Sequence, residues 1–226
     1  MIFAIAGLLF AVLVFGPQLW IRHVLSKHHR ILDHMPGTGG ELAQHLVERF
    51  QLEGVTVEEG QPMQDHYNPA TRTVSLSPQV YRNKSLSAVA VATHEVGHAI
   101  QFVREEPVSH LREKYLGKAV VIQKVGAAVL MSLPIVALIF RVPHAVGLAA
   151  LIGILTMGAS VLMYAAILPE EYDASFNKAL PILQEGYIPE EHLPAVRQVL
   201  KAAALTYVAG ALANVLSLWR WLLILR

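Results

Sequence analysis

The 226-residue chain contains no cysteine. This absence excludes a disulfide framework, an iron–sulfur cluster and a thiolate zinc site, so any metal site must use histidine and carboxylate ligands. Charge is scarce as well, because Asp, Glu, Lys and Arg make up only 15% of the residues and the net charge is +1 with histidine neutral. The basic residues form no long run on one element, and nucleic-acid binding is therefore not expected.

Apolar residues take the place of charge. They make up 54% of the chain, and its mean hydropathy of +0.45 is too high for an ordinary soluble domain. Long apolar runs predict four membrane-spanning helices, at 1–20, 119–140, 145–168 and 202–219. The first run lacks the basic n-region and the small-residue cleavage site of a secretory signal. Trp219 and Trp221 lie where interfacial aromatic residues are expected.

These runs divide the chain into five predicted parts. We expect a first transmembrane helix (1–21), a polar cytosolic domain (22–118), a transmembrane hairpin of two spans (119–168), a second cytosolic segment (169–201), and a fourth transmembrane helix with the C-terminus (202–226). The polar domain carries most of the charge, and the chemistry is expected there.

The positions of lysine and arginine predict the orientation. Basic residues flank the polar domain at both of its ends (Arg22, Lys27, Arg30, Arg112, Lys114 and Lys118). The turn between the second and third runs offers only Arg141. By the positive-inside rule, the polar domain and the segment 169–201 face the cytoplasm. We therefore expect a multi-pass protein of the cytoplasmic (inner) membrane.

Three local patterns predict secondary structure in the polar domain. Apolar residues at helical spacing predict a helix over 39–50, and alternation predicts a half-buried strand over 71–76. Ser85 or Ser87 is expected to cap a further helix that runs through 88–102. The protein is therefore expected to be mainly α-helical, with a short β-sheet in its cytosolic domain.

A five-residue motif within this last helix carries the chemistry: His94-Glu95-Val96-Gly97-His98. Positions i and i+4 of a helix share a face, so both imidazoles can bind one zinc ion while the glutamate faces the attacking water. Zinc acidifies that water and polarises a substrate carbonyl, and the glutamate passes the proton to the leaving amine. Gly97 lets a neighbouring element pack closely behind the metal. The motif predicts His94 and His98 as ligands and Glu95 as the catalytic base.

A third protein ligand is needed, since catalytic zinc usually has three and a water. The metzincin pattern fails, because the third histidine that it requires would stand at Arg104. A distant carboxylate is expected instead, and Glu170 and Glu171, directly after the third apolar run, are the best candidates. Two spans separate them from the motif, so both stretches lie on one face of the membrane. A solvated helix N-terminus is the competing role for one of the pair.

Four blocks of the sequence resemble the YugP-like neutral zinc metallopeptidases, a family of multi-span bacterial membrane proteins: DHY at 65–67, TVSLS at 73–77, HEVGHAIQ at 94–101 and LPEEYDAS at 168–175. The resemblance covers most of the chain and implies a zincin-like, gluzincin-type catalytic domain with zinc (Zn2+). It implies Glu171 as the third ligand. Asp173 is then a candidate partner that orients a ligand imidazole, as carboxylates near metal sites commonly do. A more distant group of membrane zinc peptidases has an aspartate at the position of Ser175.

Substrate binding and oxyanion stabilisation need further residues. The strand over 71–76 is a candidate for pairing with an extended peptide, just before the motif helix. His66, Tyr67 and Tyr172 are candidates for the oxyanion, and packing or a turn contact is the competing role for each.

Together these features predict a membrane-bound zinc metalloendopeptidase that acts on membrane-proximal or unfolded peptide segments. The alternative is a non-enzymatic membrane protein with a structural or sensory zinc site, but Glu95, which binds no metal in such motifs, argues against it. Zinc transport and cleavage inside the bilayer are less favoured, since the runs have no histidine or carboxylate at their centres and polar residues flank the motif. Besides the peptide substrate and the lipid bilayer, an unidentified membrane partner and a homo-oligomer stay open.

Overall fold

The structure is a computed structural model that describes residues 2–32 and 35–212. Its helices are α1 (Ile2–Lys27), α2 (Gly39–Arg49), α3 (Pro78–Tyr81), α4 (Leu86–Val103), α5 (Leu111–Met131), α6 (Leu133–Phe140), α7 (Pro143–Ala165), α8 (Leu168–Tyr172), α9 (Leu180–Gln184) and α10 (Leu193–Ala204). A π-helix (Asp173–Ala179) joins α8 to α9. Two short 3-10 helices cover Pro107–His110 and Glu190–His192. Three short strands form a sheet: β1 (Thr56–Glu59), β2 (His66–Asn68) and β3 (Thr73–Leu76). The predicted mainly helical fold with a short sheet is confirmed.

The chain divides into two compact units. The first unit contains Trp20–His110 and Leu168–Leu205. The second contains Leu111–Ile167 together with the two ends of the chain. The chain therefore leaves the first unit after the motif helix and returns to it at the LPEEYDAS block.

Helix α4 lies at the centre of the first unit. Ser85 is its N-cap, because its side-chain oxygen accepts a hydrogen bond from Ala88 N–H at 3.1 Å. Ser87, the other candidate cap, donates its hydroxyl to the Leu25 carbonyl oxygen at 2.8 Å. Most of α4 is buried, with α2, α10 and the π-helix packed around it. This burial fixes the directions in which the motif side chains point.

Helix α2 confirms the helix predicted over 39–50, and a capping box begins it. The Thr38 hydroxyl accepts a hydrogen bond from Glu41 N–H at 3.2 Å, and the Glu41 carboxylate accepts one from Thr38 N–H at 2.7 Å. The buried face of α2, which includes Leu42 and Leu46, packs against α4. Local caps and apolar spacing thus suffice to specify this element.

The three strands form a sheet in the order β1-β3-β2. β3 is parallel to β1 and antiparallel to β2, with Val74 opposite Val57 on one side and Tyr67 on the other. The strand predicted over 71–76 is confirmed as β3. The expectation that it pairs with a substrate is wrong, because β1 and β2 already occupy both of its edges.

In the second unit, α5 and α7 pack along each other. Gly126 and Gly153 permit the close approach, since a Cβ atom at Gly126 would lie 3.1 Å from the Gly153 carbonyl oxygen. The helix predicted over 119–140 is broken into α5 and α6, with a bend of 43°. Pro134, in the first turn of α6, suits the start of a helix and cannot continue the hydrogen bonding of α5.

The number of membrane spans differs from the prediction. One stretch of helix among the described residues, Pro143–Gln184, is by itself long and apolar enough to cross a membrane. A second candidate results if the bent pair Pro107–Met131 and Leu133–Phe140 counts as one span. The described residues therefore do not confirm a four-span protein.

Two predicted spans involve residues that the structure does not describe. The run over 1–20 lies in α1 apart from residue 1. The run over 202–219 is helical over 202–204, the end of α10, and again from 206 to 212, where the described residues end. The rest of that run, with Trp219 and Trp221, lies outside them.

Candidate metal centre

Helix α4 carries the three functional side chains of the motif. His94, Glu95 and His98 are all buried, at 3%, 7% and 2% exposed. The two histidines are one helical turn apart and share a face of the helix. Their Nε2 atoms lie 3.2 Å apart. The structure thus brings both predicted imidazole ligands to one point.

Glu171 lies at the same point. It belongs to α8, is 2% exposed, and its Oε2 atom is 3.3 Å from Nε2 of both His94 and His98. Two ligand atoms bound at about 2.0–2.1 Å to a tetrahedral zinc ion are about 3.3 Å apart. The three atoms therefore have the spacing of ligands that share one ion, and the three residues fit zinc.

The charge state of Glu171 is set by two opposing effects. Burial by itself favours the neutral acid. Without a metal, the charge of a protonated His98 and hydrogen bonds from both imidazoles outweigh burial and hold the pKa of the Glu171 carboxyl well below its usual range; a bound metal ion would take the place of these protons. The side chain is therefore ionised, as a metal ligand must be.

Each ligand histidine has a hydrogen-bonding partner at Nδ1. Ser175 Oγ lies 2.9 Å from His94 Nδ1 and donates to the Leu200 carbonyl oxygen at 3.1 Å. Gln101 Oε1 lies 3.0 Å from His98 Nδ1. Both partners are 0% exposed. The two rings are consequently held in fixed orientations, with Nε2 towards Glu171.

Asp173, predicted to orient an imidazole, contacts Gln101 rather than a ring. Gln101 Nε2 donates to Asp173 Oδ2 and to the Glu170 carbonyl oxygen, both at 2.9 Å. The other contacts of Asp173 are a hydrogen bond from Asn177 at 2.7 Å and an ion pair with Lys178 at 3.2 Å. Although burial opposes the change, these partners lower the pKa of Asp173. Asp173 thus reaches the metal centre through Gln101.

The backbone of β2 holds the predicted base. Glu95 Oε2 accepts a hydrogen bond from Tyr67 N–H at 2.9 Å. Asp65, at the entry to β2, accepts one from Ser77 N–H at 2.7 Å. Burial raises the pKa of Asp65; hydrogen bonds from Ser77 oppose this shift, and the charge of Glu95 adds to it. The DHY block therefore supplies a backbone donor to the motif glutamate.

Gly97 confirms the predicted close packing behind the metal. A Cβ atom at this position would lie 2.8 Å from the carbonyl oxygen of Ala174. Ala174 belongs to the π-helix that follows Glu171. Glycine thus lets this segment approach α4 closely enough to bring Glu171 beside the two histidines.

The three oxyanion candidates lie in different surroundings. His66 is an exposed residue of β2. The Tyr67 ring is buried, with its centroid 5.9 Å from that of Phe102. Tyr172 is 57% exposed, with its ring centroid 4.7 Å from that of Phe176. An oxyanion role for any of the three stays a prediction.

The sequence patterns do not single out Gln101, Ser175 or the backbone of Tyr67. Gln101 does carry a local signal, because a residue three positions after His98 shares its helix face. Ser175 follows Glu171 by four positions, but its contact with His94 depends on how the π-helix packs. A π-helix often marks a functional site and is not visible in the sequence.

The geometry defines a buried His-His-Glu metal centre with an adjacent glutamate, an arrangement found in zinc metallopeptidases. The family model described as "Putative neutral zinc metallopeptidase" matches residues 2–226, and the chain belongs to this family. It is similar to the "Putative membrane protease YugP" of Bacillus subtilis (strain 168), with 34% identity over 215 residues that cover 94% of this chain and 91% of that protein. No solved structure matches the chain. The resemblance seen in the four sequence blocks is confirmed, as is zinc as the metal.

Proposed function

We propose that the chain is a membrane-bound zinc metalloendopeptidase with His94, His98 and Glu171 as zinc ligands and Glu95 as general base. The observation that carries this proposal is the buried convergence of two imidazole nitrogens and a carboxylate oxygen, at 3.2 and 3.3 Å, on the helix that also carries Glu95. Zinc bound to these residues supplies a Lewis acid that polarises a peptide carbonyl and acidifies the attacking water.

Glu95 transfers the proton. Tyr67 N–H holds its Oε2 atom at 2.9 Å, and we therefore assign proton transfer to Oε1. Glu95 accepts the proton of the attacking water and delivers it to the leaving amine, so that the peptide bond is replaced by a carboxylate and an amine. The burial of Glu95 keeps bulk water away from this exchange.

The substrate we propose is a peptide segment in extended conformation. β2 is an edge strand, and its residue Tyr67 contacts Glu95. An extended peptide that pairs with β2 would run beside the general base. The polypeptide of a folded domain has its backbone groups already paired. Unfolded or membrane-proximal segments are therefore the favoured substrates.

The outward face of α5 supports a location in the membrane. Its exposed residues include lysine up to position 124 (Lys114, Lys118, Lys124), with Val121 among them, and are apolar beyond it (Val125, Met131). Lysine is favoured at the lipid headgroups, and apolar side chains are favoured in the hydrocarbon region. We propose that α5 enters the bilayer near Lys124, that α7 crosses back, and that the metal centre faces the cytoplasm.

The proposed activity is tested with casein, an unfolded protein, as substrate for the purified full-length chain in detergent. We expect wild-type protein to cleave it and Glu95→Gln to be slower by about 100-fold or more, because an amide cannot accept the proton. Bound zinc, quantified by mass spectrometry, should be equal in the two proteins. Equal cleavage by both would remove Glu95 as the base. Zinc in both without cleavage by either would favour the structural-site alternative.

A further inference from the structure

We infer that Gln101 is a positioning residue, which fixes His98 in the tautomer with its proton on Nδ1 and the lone pair of Nε2 towards the metal position. This role rests on the proposed function, since it concerns how the protein prepares the same metal centre. Gln101 lies on α4, three residues after His98, and is 0% exposed. It contacts the ring nitrogen that faces away from Glu171.

The hydrogen bonds of Gln101 determine which end of its amide faces the ring. Nε2 donates to the Glu170 carbonyl oxygen and to Asp173 Oδ2, both at 2.9 Å. A backbone carbonyl oxygen has no proton, so the group that faces it must be the NH2 end of the amide. The opposite end, Oε1, is then the atom 3.0 Å from His98 Nδ1. The orientation therefore follows from the chemistry of the partners.

The tautomer of His98 follows from the orientation of the amide. Oε1 can only accept a hydrogen bond, so Nδ1 of His98 must be the donor. A neutral imidazole has one N–H, and Nε2 is left with its lone pair exposed. That atom lies 3.3 Å from Glu171 Oε2, on the side where a metal binds. Gln101 thus keeps the proton off the atom that has to bind the metal.

Ser175 prepares the other ring by the same logic. Its hydroxyl donates to the Leu200 carbonyl oxygen at 3.1 Å, so its lone pairs accept the hydrogen bond from His94 Nδ1 at 2.9 Å. Both imidazoles then present bare Nε2 atoms, 3.2 Å apart, to Oε2 of Glu171. Three facing lone-pair donors favour a cation between them.

Asp173, which accepts a hydrogen bond from Gln101, is held in place by an ion pair. Asp173 pairs with Lys178 at 3.2 Å, and Lys178 also pairs with Glu106 at 2.9 Å. If the amide were rotated by 180°, its NH2 group would face the N–H of His98, and its oxygen would face the Glu170 carbonyl oxygen and the Asp173 carboxylate. Buried groups left unpaired in this way are unfavourable. A glutamate at position 101 would meet the same two acceptors, which explains why an amide serves here.

The test is the affinity of the full-length protein for zinc, measured in detergent by competition with a chromophoric chelator. Gln101→Met keeps the length of the side chain and removes both ends of the amide. We expect the Kd for zinc to rise about 10- to 100-fold, as is typical when a ligand histidine loses its partner. Thr93→Val is the matched control, since it removes one buried hydrogen bond of α4, to the Val89 carbonyl oxygen, and should bind zinc like wild type.

A spectroscopic readout separates positioning from a loss of fold. Cobalt(II) is loaded in place of zinc, and its absorption bands, which report ligand arrangement, should change in Gln101→Met and not in Thr93→Val. The melting temperature of the metal-free proteins shows whether each variant folds. If Gln101→Met does not fold, Asp173→Ala replaces it; Gln101 then keeps one of its two acceptors, and the Kd should rise by about 10-fold, the lower end of the range.

Each outcome decides the matter. A zinc Kd within about twofold of wild type, with an unchanged cobalt spectrum, overturns the role of Gln101. Weakened zinc binding by the variant, in a protein whose wild type cleaves no casein, supports that role and favours the structural-site alternative over the proposed peptidase activity. A wild type that binds no zinc overturns both.

Discussion

The two glutamates of the metal centre differ in the partners that hold them. Glu171 Oε2 faces two imidazole nitrogens at 3.3 Å, whereas Glu95 Oε2 accepts a hydrogen bond from the backbone N–H of Tyr67 at 2.9 Å. The Glu171 carboxylate lies among nitrogen lone pairs, and a cation bound there would stabilise it. The Glu95 carboxylate is held at one oxygen by a single backbone amide, so its other oxygen can take a proton. This contrast supports the ligand role of Glu171 and the base role of Glu95.

Glu170 and Glu171, which the sequence alone leaves as alternatives, can be separated by metal content. Glu171→Gln removes the charged ligand, so zinc affinity should fall by more than the roughly 100-fold that loss of an outer partner costs. Glu170→Gln should stay loaded, because Glu170 Oε1 is 3.9 Å from Nδ1 of His98, the ring nitrogen on the side away from the metal position. Zinc is measured after dialysis against a chelator. A fully loaded Glu171→Gln protein would remove Glu171 from the ligand set.

A charged network beside the site predicts a pH dependence of stability. Burial works against both ions, but Gln101, Asn177 and Lys178 lower the pKa of Asp173, while Glu106 and Asp173 raise the pKa of Lys178. A carboxyl whose pKa is lower in the folded protein than the unfolded value of about 3.9 stabilises the fold above that pH, and this stabilisation is lost as the pH falls below it. An ammonium group whose pKa is higher in the folded protein than the unfolded value of about 10.4 stabilises the fold below that pH, and this stabilisation is lost as the pH rises above it. The pair is therefore effective between about pH 4 and pH 10.

Lys178→Met tests this window in the metal-free protein. It should lower the free energy of unfolding by about 1 kcal/mol at neutral pH, the upper end for an ion pair that water partly reaches. The difference from wild type should be constant from about pH 5 to pH 9 and shrink below about pH 4, as Asp173 is protonated. Thermal melts across this range measure it. A difference that is the same at pH 3 and pH 7 would contradict the assignment.

At the scale of elements, local signals explain what the sequence predicts correctly. Helix α2 has its capping box and α4 has the Ser85 cap, so each is specified by its own residues. Strand β3 alternates visibly, but its neighbours β1 and β2 have only four and three residues and carry little pattern. Their pairing with β3 is a tertiary property, and the sequence therefore could not show that β3 is the central strand. The π-helix after Glu171 is likewise set by packing against α4 rather than by propensity.

Gly97→Ala tests the close contact between α4 and the π-helix. The added methyl group would lie 2.8 Å from the backbone oxygen of Ala174, so one of the two segments must shift. We expect a loss of about 1–3 kcal/mol in the free energy of unfolding, as for other overpacked sites, together with weaker zinc binding. Gly117→Ala is the control, because nothing lies within 4 Å of its Cβ position in helix α5. It should be neutral or stabilising by up to about 1 kcal/mol. Equal melting temperatures for the two variants would reject the contact.

At the scale of the whole molecule, the proposed metal ligands come from two stretches that an apolar segment separates. His94 and His98 precede it, Glu171 follows it, and all three lie in the unit that the chain leaves after His110 and re-enters at Leu168. An even number of crossings returns a chain to the face that it left, which is how the sequence places both stretches on one side. The number of spans is harder to read, since Lys124 and the break at Pro134 interrupt the apolar run.

The proposed orientation can be measured directly, because the chain has no cysteine and every introduced thiol is unique. His144→Cys lies in the exposed first turn of α7, and Glu53→Cys lies on an exposed loop of the unit with the metal centre. In intact cells, a membrane-impermeant maleimide should label position 144 only, and position 53 should react once the membrane is opened. The wild-type chain, without a thiol, gives the background. The reverse pattern would place the metal centre outside the cell. Labelling of both positions from the same side would mean that the hairpin of α5 to α7 does not cross the bilayer, and the apolar face of α5 beyond Lys124 would then need another partner than the interior of the membrane.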